Sequence, residues 1–212
     1  EGDMLEAVRP LAVLLHRAAA PGAVLMVAAD LGAAGRAAAS RMAEAAIAGL
    51  PDPGAAPLGE AAMAAGRFFF AAADLARSGL LDPERQRRLA ALQHAAETEC
   101  RRRVAEAGKS QVVQVLATLA GGTSVDEATL ARVEADARAL RAVAQVGRGV
   151  GDPAAYDRTM RGLAEAIGRL PTAAAPAADG LTAVDLARVV EILAGPDEAA
   201  ALLAARAACA HG

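Results

Sequence analysis

A chain of 212 residues, 55% hydrophobic and 22% charged, is long enough to bury a core without staples and suits one globular domain, or one with an appended subdomain. Its formal net charge of -3 lacks the basic footprint that nucleic acid demands, and Cys100 and Cys209, far apart and with no C-x-x-C pair, argue against a disulfide framework or a zinc site. Alanine fills about three positions in ten and arginine almost replaces lysine, a bias expected of GC-rich bacterial coding; Ala, Leu, Arg and Glu lose little side-chain freedom on a helix, so an all-α chain is expected.

Helix punctuation and apolar spacing predict an antiparallel bundle of seven to eight helices, near 3–20, 23–49, 60–78, 83–120 with a break at Gly108, 124–146, 153–170, 182–194 and 197–209. The first carries Met4, Val8, Leu11 and Leu15 on one face. The uncharged run from Ala18 to Ala29 is about 12 residues, where a membrane-spanning helix needs roughly 20, and Pro21 and Gly22 interrupt it. No basic segment leads a continuous apolar stretch, so no signal peptide is read and a cytoplasmic location is expected. The chain opens on Glu1 rather than Met, as a processed or excised piece would. Ala23 to Met42 could instead be a buried strand, a glycine turn and a helix of a nucleotide-binding unit, but a dinucleotide fingerprint needs three glycines and a sheet, and no second strand is credible. Helix is therefore expected there, with Gly32 and Gly35 as points of close helix contact. Pro- and Gly-rich residues 50–59 form a connector.

The next helix concentrates the aromatic surface of the chain, Phe68, Phe69 and Phe70. At 100° per residue, Glu60, Arg67 and Asp74 make a narrow polar stripe, while Phe68, Phe69, Ala72, Leu75 and Ala76 fill the opposite arc. Core demand favours burying all three rings. Phe70, at the edge of the stripe beside Arg67 and Asp74, is the one placed to serve a partner or a ligand.

Asp82-Pro83-Glu84 opens the longest helix, whose stripe is Leu89, Leu92, Ala96, Cys100 and Val104, leaving Cys100 a packed thiol. Glu97/Arg101 and Glu99/Arg103 are expected on its flanks. Two arginine triplets, Arg85, Arg87, Arg88 and Arg101, Arg102, Arg103, lie roughly 24 Å apart along the axis. Their splayed side chains suit salt bridges to neighbouring helices or to an acidic protein surface better than one focused anion site. Gly108-Lys109-Ser110 resembles the end of a phosphate loop, but Arg103 stands where that loop needs glycine, and a helix leads in.

Ser124 to Glu127 reads as a capping box for a helix with Leu130, Val133, Ala137, Leu140 and Ala144 inside, and Gly147 to Gly151 as its C-cap and loop. Asp152-Pro153 starts the next helix, with Tyr156, Met160, Leu163, Ile167 and Leu170 inside. A Pro/Ala linker over 171–180 is expected to separate a body, 1–170, from a C-terminal helix pair, 181–212, that Thr182/Asp185 and Gly195-Pro196 punctuate.

His16, His94 and His211 are scattered, and no metal set, catalytic set or cofactor motif is read. The leading expectation is a non-enzymatic interaction module, a scaffold or adaptor with a protein partner or a second copy of itself, contacting through some of Arg67, Phe70, Asp74, Arg85, Arg88, Arg101 and Arg102. A small-molecule-binding regulatory domain with a pocket near Phe70, Arg67, Asp74 and Met63 is the first rival. An enzyme assembled across helices is the second, with Asp74, His94 and Arg101 as its first candidates. Neither nucleic acid nor a membrane span is expected.

Overall fold

Prolines at first helical positions and carboxylates just ahead of them set the architecture. A computed structural model describes residues 20–122, 125–172 and 180–210. The expected helix near 3–20, Ser124, most of the 171–180 linker, His16 and His211 lie outside these. The described residues form eight helices and no strand, the expected all-α class. They are α1 (Pro21–Asp30), α2 (Ala33–Ala48), α3 (Leu58–Arg77), α4 (Pro83–Ala107), α5 (Glu127–Val150), α6 (Pro153–Gly168), α7 (Ala183–Leu193) and α8 (Pro196–Ala210). Helix α4 runs on through a π-helical stretch, Gly108–Val113, into Gln114–Ala120. None of the described helices is long and apolar enough to cross a membrane.

The expected caps form where both partners are described. Asp82 Oδ1 accepts from the Arg85 N–H at 2.8 Å, and Asp152 Oδ1 from the Ala154 N–H at 2.9 Å. Thr182 and Asp185 close a reciprocal capping box on α7.

Several local expectations need correction. The helix expected over 23–49 is two helices, because Gly32 takes φ +88°, a conformation only glycine holds cheaply, and turns the chain between α1 and α2. Nothing crowds Gly32, whereas a Cβ on Gly35 would overlap the Ala28 carbonyl, so close contact is the role of Gly35 alone. Helix α5 starts at Glu127, not 124: Asp126 is its N-cap and accepts from the Ala128 and Thr129 N–H groups, each at 3.2 Å. Gly147 and Gly149 belong to α5 rather than to a loop, for the Tyr156 ring lies where a Cβ of Gly147 would be, and that packing carries the helix to Val150.

The break anticipated at Gly108 is a widening rather than an interruption. Gly108 is buried, with Leu163 of α6 so close that any Cβ would overlap its methyl groups. The backbone continues as π-helix there, a form that occurs mostly as single widened turns inside α-helices.

The chain divides into two compact units, one of Glu1–Ala55 with Met63–Thr98, the other of Ala56–Ala62 with Glu99–Gly212. In the first, α1 packs on α2, and Leu25, Ala39, Ile47, Phe68, Phe69 and Leu75 are buried. The Phe68 and Phe69 rings meet edge to face, centroids 5.2 Å apart, a geometry worth about 0.5–1.5 kcal/mol beyond burial. Ala76, expected in the apolar arc, is exposed. In the second, α5, α6 and α7 pack on one another and α8 packs on α7. Val133, Ala137 and Leu140 from the expected stripe of α5 and Tyr156 and Ile167 from that of α6 are buried, and α7 buries Leu186 and Val190. Cys100 is buried, as its place in the stripe requires. Glu97 is buried rather than flanking.

Candidate functional site

Helix α3 turns one face of its phenylalanine run inward and one outward. Phe68 and Phe69 are 4% and 7% exposed, while Phe70 is 54% exposed. Burial of all three rings, which core demand favours, does not occur: 100° of rotation separates consecutive residues, and two rings already fill the interior arc. Met63, seven residues back and so on the same side, is 53% exposed, and Arg67 lies exposed on the turn between them.

Asp74, one turn further on, has a structural task. Its Oδ2 accepts from the backbone N–H of Gly22 at 2.6 Å and of Ala23 at 3.3 Å. These are orphan donors of the first turn of α1, whose own N-cap residue, Ala20, supplies no side-chain acceptor. A carboxylate there also faces the positive end of the helix dipole. Gly22 is what allows the approach, since a Cβ on it would overlap the Asp74 carbonyl. Asp74→Ala is expected to cost about 1–2 kcal/mol in urea unfolding, the range for losing a cap, while Arg67→Ala on the exposed side of the same helix stays within about 0.5 kcal/mol.

The arginine triplets are largely tied within the chain. Arg85 reaches Glu44 (3.4 Å) and Ser40 (3.0 Å) on α2 as well as Asp82 (2.9 Å). Arg88 also pairs with Glu44, and Arg87 donates to the Pro83 carbonyl at 3.2 Å. Arg102 lies between Glu99, at 2.6 Å, and Glu106. Its hydrogen bond to Glu99 raises the guanidinium further above its ordinary value and holds the Glu99 carboxyl below the usual range. Arg103 donates to the Ala56 carbonyl at 2.5 Å; Arg101 is half-buried and His94 exposed. Asp126, the N-cap of α5, and Asp136 within it illustrate opposite effects: the hydrogen bond from the Thr129 hydroxyl holds the Asp126 carboxyl below its ordinary value, and burial pushes that of Asp136 up. Among the described residues, no group of three or more His, Cys, Asp or Glu side chains is placed to hold a metal ion.

Two clefts open on the second unit, and none of Met63, Arg67, Phe70 or Asp74 lines either. One, of about 410 Å³, contains the buried Glu134, whose carboxylate is shared by Arg138 at 2.7 Å and Arg188 at 3.0 Å. The other, of about 340 Å³, lies between α5, α6 and the corner where α7 meets α8. On its rim Arg148 pairs with Asp157 at 2.5 Å, and Arg141 donates to the last-turn carbonyls of α7, Glu191 at 3.2 Å and Ile192 at 2.7 Å. Arg161 and Glu198 face the same space. Sequence reasoning passed over this group. Its only trace is spacing, Arg141/Arg148 seven apart on α5 and Asp157/Arg161 four apart on α6, which puts each pair on one helix face without saying that the faces meet.

No family model matches the chain, and comparison with curated proteins and with solved structures found no match.

Proposed function

We propose that the chain is a non-enzymatic helical interaction module, a scaffold or adaptor, that docks a protein partner through Phe70 and Met63 of α3. The observation that supports it is the exposure of Phe70 beside two buried neighbours. Holding a phenylalanine in water forgoes about 1.5–3 kcal/mol of burial that a partner can supply. Phenylalanine, methionine and arginine are enriched at protein interfaces, and Phe70, Met63 and Arg67 bring one of each to a single helix side. Met26, Val27 and Leu31 add exposed apolar surface on and just after α1 in the same unit. Association between two copies of the chain is the simplest form of this docking.

The test places a photo-crosslinking phenylalanine analogue at position 70 and, as a control, at the exposed Ala91 of α4. Discrete adducts from position 70 alone, identified by mass and abolished in competition by wild-type chain but not by the Phe70→Asp form, are the expected result. Equal adducts at both positions, or none at 70 together with a concentration-independent monomer in sedimentation, would overturn the reading.

A further inference from the structure

The cleft at the α7–α8 corner holds two opposite charges that the protein leaves unneutralised. Arg161 on α6 and Glu198 in the first turn of α8 both line it, yet neither makes a hydrogen bond or ion pair with any described residue. The other charges on that rim are committed, Arg148 to Asp157 and Arg141 to the end of α7. Gly195 fixes the corner: its φ of +123° lets α8 start immediately after α7, and Glu198, in the first turn of α8, lines the cleft there. Ala144, Met160, Leu193 and Ala194 line the cleft with Arg161 and Glu198, beside the uncharged polar Gln145.

An unpaired cation and an unpaired anion lining one cleft beside apolar side chains are complementary to a molecule that carries an anionic group, a cationic group and a hydrocarbon body. We propose that this cleft binds a free amino acid with an aliphatic side chain. Arg161 takes the carboxylate, since a guanidinium offers a fixed fork of donors matched to two carboxylate oxygens. Glu198 takes the ammonium, and the side chain lies on Met160 and Leu193. At about 340 Å³ the cleft is at the small end of ligand pockets, which run from about 300 to 1,000 Å³, so it fits one residue-sized molecule and not a nucleotide. This site shares no residue with the Phe70 face and does not depend on that reading.

Calorimetric titration of the full chain with three probes tests it: L-leucine, 4-methylpentanoate, which lacks the ammonium, and 3-methylbutylamine, which lacks the carboxylate. Saturable leucine binding is expected, with each truncated probe weaker by about tenfold or more, the effect of losing one charge-assisted hydrogen bond. Glu198→Gln is expected to weaken leucine about tenfold and leave 4-methylpentanoate unchanged; Arg161→Gln is expected to weaken leucine as much and leave 3-methylbutylamine unchanged, and Arg161→Lys retains leucine binding. Both side chains are exposed, so unchanged melting curves are expected to accompany these losses. Three outcomes overturn the proposal: no saturable leucine binding up to about 10 mM, a range that spans weak millimolar ligands; equal affinity for leucine and 4-methylpentanoate, which marks a plain anion site; or leucine binding indifferent to both substitutions.

Discussion

Phe69→Ala is expected to lower the unfolding free energy by about 3–5 kcal/mol, while Phe70→Ala, one residue along, changes it by no more than about 0.5 kcal/mol. The contrast follows from geometry. The Phe69 ring is buried and meets Phe68 edge to face, so its removal forfeits both burial and the ring contact. A cavity left where the ring stood adds to the cost. Phe70 leaves more than half of its surface in water. Urea unfolding followed by far-UV circular dichroism reads both variants. Equal losses at the two positions would show Phe70 to be a core residue and remove the basis of the docking proposal.

Gly147 and Gly149 are expected to respond with opposite sign to the same change. Gly147→Ala places a methyl group in the volume of the Tyr156 ring, and overpacking of that kind costs about 1–3 kcal/mol. Gly149→Ala meets nothing within contact range and exchanges a flexible helical residue for the best helix former, a gain approaching about 1 kcal/mol. The comparison holds composition, helix and solvent constant and isolates the ring. Adding Tyr156→Leu to Gly147→Ala is expected to cost less than the two single changes together, because a smaller side chain makes room for the methyl. A loss at Gly149 equal to that at Gly147 would place the end of α5 before residue 147.

The features legible in the sequence were those whose causes lie within a few residues. Asp82-Pro83 and Asp152-Pro153 combine an acceptor with a residue lacking the N–H that a helix start cannot satisfy, so both starts fall where the pairs stand. The inward stripes of α5 and α6 are equally local, being a matter of 3.6-residue spacing. What stayed hidden depends on a residue far along the chain. Gly147 looks like a helix end until Tyr156 is seen against it, and Gly32 looks like one more small residue in a helix until its positive φ is known. Its place on the polar stripe suggests Asp74 as a contact for a ligand or partner, and nothing near it in sequence reveals that two amides 51 and 52 residues earlier occupy its carboxylate. The Arg161/Glu198 cleft was invisible for the same reason: its two charges sit on helices separated by α7 and the linker before it.

The cap on α1 has a bearing on how the chain is made. The ribosome releases Gly22 and Ala23 long before it adds Asp74, so throughout that interval the leading amides of α1 have only water to satisfy them. A ten-residue helix is marginal by itself in water, and this one is completed by a side chain delivered later in translation. Its final form therefore waits on the synthesis of α3, and a nascent chain halted before residue 74 carries an apolar α1 segment without its anchor.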